Sequence, residues 1–214
     1  MIVAIAGAHG KIGLALGQLL AQDGSQVRGL IRNANHAPDL EAIGVRPVIS
    51  DLEQDDPRLA DHLRGATAAV FAAGAGPGSG AARKVTMDRD GAVRLIDACR
   101  QAGVRRYVMI SAMGARPGVD FGGGVFGAYL EAKTQADEAL EASGLDYTIV
   151  RPGGLTDDPP TEKVALAAQL ERGSIPRADV ARTLVAVLHA PNTIGKAFDL
   201  ISGRTPIREA VTAV

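Results

Sequence analysis

The run Gly7-Ala8-His9-Gly10-Lys11-Ile12-Gly13 sets three glycines at G-x-x-G-x-x-G spacing directly after the apolar stretch Ile2-Val3-Ala4-Ile5-Ala6. Such a turn can seat a pyrophosphate. The first glycine permits a tight bend, the second lets backbone amides approach the phosphates, and the third lets a following helix pack closely on the strand. A helix opening at Lys11 would bring unpaired N–H groups and partial positive charge to the same point. The spacing therefore points to a dinucleotide held by Gly7, Ala8, His9, Gly10, Lys11, Ile12 and Gly13. The competing reading is a glycine-rich packing turn with no ligand.

The residue that ends the second apolar run would lie beside the adenosine ribose and choose between the two nicotinamide dinucleotides. An acid there binds a free 2′-hydroxyl. This chain has Arg32 and no acid close by in sequence, and a guanidinium favours a 2′-phosphate. NADP(H) is thus expected in preference to NAD(H), with a solvated surface arginine as the alternative. Asp51 and Leu52 would bring a carboxylate near the adenine amino group or, equally, supply a helix N-cap. Ala72, Ala73 and Gly74 offer small side chains where backbone must pass close to a cofactor. Pro152, Gly153 and Gly154 could carry stiff backbone to the nicotinamide, or simply end a strand.

These residues need a frame. Short apolar runs alternate with stretches of helical period, the pattern of a parallel sheet with helices on both faces. Strands are expected at 2–6, 26–31, 46–50, 68–73, 105–111, 146–151 and 197–202, and helices at 11–22, 88–102, 126–143 and 177–189. Gly24, Gly103 and Gly144 each follow a helical stretch where a left-handed cap is wanted. On the same reading Asp88 and Asp90 favour the positive end of the helix starting at 88. The fold class is α/β, a Rossmann-type doubly wound parallel sheet, read as one domain over residues 1–214. Glycine-rich segments 74–80 and 117–127 follow strands, where the ligand crevice of such a sheet lies. Plain surface linkers are the alternative. Residues 152–175 lose the βα rhythm and could form a small substrate cap.

Composition closes other routes. With 46% hydrophobic and 22% charged residues the chain reads as a soluble globular protein, and no apolar run reaches the roughly 18 residues of a membrane span. A net charge of −1 and 3% aromatic residues argue against nucleic acid as a partner. The N-terminus has no basic leader and reads as a buried strand, so a cytoplasmic location is expected. Cys99 is the single cysteine and reads as helix core. His9, His36, His62 and His189 share no metal-ligand spacing, so no metal is expected.

GAHGKIG, Arg32, Asp51-Leu52, the run DRDGAVRLIDACRQAGVRRYVMISAMGA and the later SGLDYTIVRPGGLTD together resemble the atypical short-chain dehydrogenase/reductase superfamily. The resemblance is to its NmrA-like, NAD(P)H-binding group, which includes flavin reductase-like and sugar-epimerase-like proteins, and it spans residues 1 to about 208. It implies a catalytic serine at Ser111 and a Tyr-x-x-x-Lys pair at Tyr129 and Lys133. Four-residue spacing would set the pair side by side on a helix face, where an ammonium favours the phenolate. Ser111 would bond the substrate oxygen at the nicotinamide, Tyr129 would move the proton, and Lys133 could also hold the cofactor ribose. The pattern departs in two places: Ala112 follows Ser111 where a second serine is usual, and His9 replaces a small hydroxyl residue. Some relatives in this group lack the tyrosine, which leaves its catalytic role open here.

The expected function is NADP(H)-dependent reduction of a small carbonyl, quinone or flavin-like acceptor. Phe121, Phe126 and Leu155 are candidate apolar contacts for the substrate, or else core. The alternatives are a non-catalytic NADP(H)-binding redox sensor and an epimerase-like isomerase that retains its cofactor. Monomer and homodimer are both compatible with the sequence.

Overall fold

The fold is taken from a computed structural model that describes residues 1–76 and 78–214. Pro77, inside the glycine-rich 74–80 segment singled out as a candidate loop, lies outside the described residues.

Nine strands form one sheet, in the order β11-β8-β10-β6-β5-β4-β1-β2-β3. They are β1 (Ile2–Ala6), β2 (Gln26–Ile31), β3 (Val45–Ile49), β4 (Ala68–Phe71), β5 (Arg106–Ile110), β6 (Asp146–Pro152), β8 (Lys163–Ala167), β10 (Lys196–Ser202) and β11 (Thr205–Pro206). All pairings from β3 across to β10 are parallel, whereas β8 runs antiparallel to β10 and β11. Two further short strands, β7 (Gly154–Thr156) and β9 (Ser174–Pro176), pair with each other. The central strands β1, β4 and β5 are nearly wholly buried and apolar, as strands covered on both faces must be.

Helices cover both faces. α1 (Lys11–Gln22) and α7 (Arg177–Leu188) pack together on one, burying Leu16, Leu20, Val180, Leu184 and Val187 against Val3, Ile5 and Val70. Ile12, Leu16 and Leu20 recur every four residues, which is why α1 forms and which stripe it buries. α5 (Ala92–Ala102) and α6 (Gly124–Glu141) cover the other face with the short α3 (Leu59–Leu63). Gly24, Gly103 and Gly144 all take positive φ, between 74° and 78°, as their cap positions require. The short α2 (Ala37–Glu41) and α8 (Ile207–Thr212) complete the set with α4 (Ala81–Arg83).

Two expectations shift. The helix anticipated from residue 88 begins at Ala81, and between α4 and α5 the chain makes a π-helical stretch, Lys84–Gly91. Asp88 is therefore not a residue of the first turn. Residues 152–175 contribute β7, β8 and part of β9, with β8 joining the sheet beside β10. Among the described residues no helix is long and apolar enough to cross a membrane.

Candidate active site

The chain runs β1-β2-β3 to one side and β4-β5-β6 to the other, so the carboxyl ends of β1 and β4 flank the point where strand order reverses. Connections leaving two such neighbours diverge and open a crevice. The principal cleft, about 1010 Å³, lies there.

The glycine turn lies behind its β1 side, where Ile12 lines it. Gly7 has φ +79°, and a Cβ on it would stand 2.6 Å from Ala73 Cα and N, so the turn lies directly against the chain leaving β4. A Cβ on Gly13 would stand 2.3 Å from the Gly7 carbonyl oxygen. The N-cap of α1 is Gly10, with no capping side chain and no acid in the first turn. Its first N–H groups thus remain available to an anion. This turn, held tight because Gly7 and Gly13 carry no Cβ, and open to an anion at the helix tip, fits a dinucleotide's pyrophosphate.

Of the anticipated cofactor residues, Ile12, Ala72, Ala73, Gly74, Ser111, Lys133, Pro152, Gly153 and Gly154 line the cleft. Gly7, Ala8, Gly10 and Gly13 form the turn behind it. His9 faces away: Nε2 lies 2.8 Å from Asp39 Oδ2 and the ring stacks on His36 at 3.6 Å. Lys11 pairs with Asp157, which also accepts from Arg177 Nη1 at 2.7 Å. Asp51 accepts the Glu53 amide at 3.0 Å and so stabilises a turn, not a helix start. Leu52 is buried, and its carbonyl accepts from Arg94.

Arg32 is exposed, but the expectation of no acid beside it is corrected. Glu53, 21 residues further on, accepts from Arg32 Nη1 at 3.2 Å, from Arg83 Nη2 at 2.8 Å and from Thr86 at 2.9 Å. The Arg83 hydrogen bond is the largest influence holding the Glu53 carboxyl below its ordinary value. Two guanidinium groups thus share one carboxylate.

Ser111, Tyr129 and Lys133 meet in the same cleft. Lys133 is 3% exposed; its ammonium donates to the Ile110 carbonyl at 3.1 Å and lies 3.3 Å from Asp88 Oδ1. Asp88, expected to favour a helix terminus, is instead buried and accepts the Ala75 amide at 3.2 Å. Ser111 donates to Asp137 Oδ2 at 2.9 Å, as does Arg151 Nε at 2.9 Å. Burial is the main reason the Asp137 carboxyl is raised to about 6, with Arg151 and Ser111 pulling against it. The Tyr129 phenol is also raised. Burial dominates, Asp88 and Asp137 add to it, and the opposing pull of Lys133 is outweighed. The expected net shift towards phenolate is therefore corrected, because burial of the phenol outweighs the ammonium and the carboxylates of Asp88 and Asp137 add to it.

Spacing could have revealed Asp137, which stands four residues beyond Lys133 on α6, and a charged residue inside the apolar run Tyr147-Thr148-Ile149-Val150-Arg151 announces the need for a partner. Lys84 was missed altogether; it donates to the Gly76 carbonyl at 2.8 Å and lies over the Tyr129 ring at 5.4 Å. The anticipated apolar contacts divide: Phe126 and Leu155 line the cleft, whereas Phe121 packs beside Ala112, Ala115 and Leu130. Cys99 is core, its thiol pushed up to about 12 by burial.

Residues 7–191 match the family model described as NAD(P)H-binding. The chain belongs to that family. Its setting within the atypical short-chain dehydrogenase/reductase, NmrA-like group agrees with the neighbours of this NAD(P)H-binding family member. A protein of Bacillus subtilis (strain 168) named as an uncharacterized sugar epimerase is 41% identical over 212 residues, 99% of each chain. A solved structure from Bacillus halodurans, provisionally named as an NAD-dependent epimerase/dehydratase, superposes with TM-score 0.93 at 35% identity over all of both chains. An enzyme of Escherichia coli O157:H7 named as an anaerobillin reductase superposes with TM-score 0.81 at 28% identity, over 94% of this chain and 97% of the other.

Proposed function

We propose that the chain is an NADP(H)-dependent reductase of a small carbonyl, quinone or flavin-like acceptor. The observation carrying this reading is the convergence of Ser111, Tyr129 and Lys133 on one cleft, which Ile12 of the glycine turn also lines. Gly7 to Gly13 and the tip of α1 would hold the pyrophosphate, Arg32 and Arg83 the adenosine 2′-phosphate, and Pro152 to Gly154 the nicotinamide side. The bound dinucleotide supplies or takes up hydride.

Tyr129, with its phenol raised above the ordinary value, holds its proton at neutral pH and is suited to protonate a substrate oxygen. That supports reduction as the working direction. Ser111 orients the same oxygen, and Lys133, anchored on Ile110 and Asp88, places positive charge beside the reacting pair. Arg32 and Arg83 together outweigh Glu53, which favours a dianionic 2′-phosphate over a hydroxyl.

Calorimetric titration with NADPH and NADH tests the cofactor. NADPH should bind more tightly, and Arg32→Glu should weaken it by about tenfold with little change for NADH; equal affinities insensitive to the substitution would remove the preference. In reductase assays Tyr129→Phe should lower kcat by roughly 10²- to 10⁴-fold while NADPH affinity holds. A second reading, an epimerase-like isomerase that regenerates its cofactor, is supported by the names of two relatives. Product formation without net NADPH consumption would select it.

A further inference from the structure

We infer that the nicotinamide-side end of the cleft takes a substrate with an apolar body and an anionic substituent, and that Arg172 determines this specificity. The inference rests on the reductase reading for its chemistry but not for its binding test.

The ionised side chains lining the cleft are Lys84, Arg116, Lys133, Arg172 and Arg177 against Asp88 and Asp199, an excess of cations in a chain whose net charge is −1. Most of the cations are already engaged. Lys133 faces Asp88 at 3.3 Å, Arg116 donates to Asp199 at 2.7 Å, Arg177 to Asp157 at 2.7 Å and Lys84 to a carbonyl. Arg172 is exposed and, among the described residues, has no hydrogen bond or ion pair. It is the cleft's uncommitted cation.

Position assigns it to the substrate rather than to the pyrophosphate. The carbonyl of its neighbour Gly173 accepts the Gly154 amide at 2.8 Å, and a Cβ on Gly153 would stand 2.3 Å from that oxygen. The segment bearing Arg172 is thus seated on the turn after β6. The same turn is tied to the Ser111 side, since Pro152 accepts the Met113 amide at 2.9 Å. Arg177, by contrast, is linked through Asp157 to Lys11 beside the glycine turn.

The walls supply the second half of the argument. Val125, Phe126 and Leu155 line the cleft and are three of the seven exposed large apolar side chains among the described residues, Phe126 at 66%. Apolar surface gathered at the mouth of a cleft marks a binding surface. A neutral polyol such as a sugar would leave both these walls and the arginine unmatched. An apolar body carrying a carboxylate, sulfonate or phosphate satisfies them together.

Matched probes test this on the NADP-loaded protein. By calorimetry, 2-naphthoate should bind about fivefold tighter than 2-naphthalenemethanol, the scale of one partly exposed ion pair. Arg172→Gln should erase the difference and Arg172→Lys should retain part of it, both with unchanged NADP affinity. In turnover, 6-formyl-2-naphthoate should show a lower KM than 2-naphthaldehyde at similar kcat. Equal binding of the two naphthalenes, a preference that survives Arg172→Gln, or a loss of NADP affinity in that variant would each overturn the inference. Should neither aldehyde be reduced, the carbonyl branch of the reductase reading fails while the calorimetric arm still decides this one.

Discussion

Asp137 controls which way the Ser111 hydroxyl points. An ionised carboxylate can only accept, so at neutral pH Asp137 accepts hydrogen bonds from both Ser111 and Arg151. Once protonated it can donate to Ser111 Oγ, which frees the serine hydroxyl to donate to a substrate oxygen. Burial raises this carboxyl to about 6. If reduction relies on donation from Ser111, kcat should rise as pH falls through about 6. Asp137→Asn never ionises and can donate through its amide, so it should flatten that limb. The pH profile of both proteins under single-turnover conditions checks this; an inflection that persists in the Asn variant detaches Ser111 from Asp137. A stability effect accompanies the shift, since a folded-state pKa above the ordinary carboxylate value favours the neutral form. That contribution is complete below the ordinary value and is lost as pH rises through about 6. The Tyr-x-x-x-Lys spacing was legible in the sequence, whereas the direction of the phenol shift was not. It depends first on burial of the phenol, and then on Asp88 and Asp137, and burial follows from the fold rather than from the spacing.

The contact between α1 and the turn before it is set by one missing side chain. Gly13 lies within the helix, where its φ suits any residue, yet a Cβ there would press to 2.3 Å on the Gly7 carbonyl and 2.9 Å on Ala8 Cα. Both neighbours are backbone, so relief requires moving the helix. Gly13→Ala should therefore cost roughly 1–3 kcal/mol of stability and displace the helix tip enough to weaken NADPH binding by about tenfold. At Gly10 the added Cβ would stand 3.2 Å from the same carbonyl, a contact that a few tenths of an ångström relieve, so Gly10→Ala should be milder in both respects. Thermal unfolding and calorimetry on the two variants check the order; equal effects would remove the packing argument. This turn, α1, α7 and the parallel strands were readable because their apolar periods and glycines are local signals. The π-helical stretch Lys84–Gly91 was not, because an extra residue per turn leaves no mark in composition. Its consequence is substantial: it carries Lys84 and Asp88 to the cleft. Strand β8 was missed for a related reason, as its pairing with β10 is decided by tertiary contact and not by its own pattern.

Asp157 links the starts of two helices far apart in sequence. One of its oxygens holds Lys11 at the first turn of α1, the other holds Arg177 at the start of α7, and these two helices pack side by side beneath it. Its carboxyl lies below the ordinary value, with the Lys11 hydrogen bond as the largest cause, so it is ionised at neutral pH. A pyrophosphate arriving at the tip of α1 would bring negative charge towards the same two cations. The acid and the phosphates then compete, and the cation that loses Asp157 becomes available to the dinucleotide. Replacing Asp157 by Asn removes the competitor and leaves Lys11 and Arg177 in place. NADPH should consequently bind about two- to fivefold more tightly at low salt, a modest gain because all three groups are hydrated. The gain should vanish near 0.5 M salt, where screening acts over only about 4 Å. Titrations of wild type and Asp157→Asn at the two salt concentrations measure it. Weaker binding in the variant would reverse the assignment and make Asp157 a strap that secures the cofactor through Lys11 and Arg177.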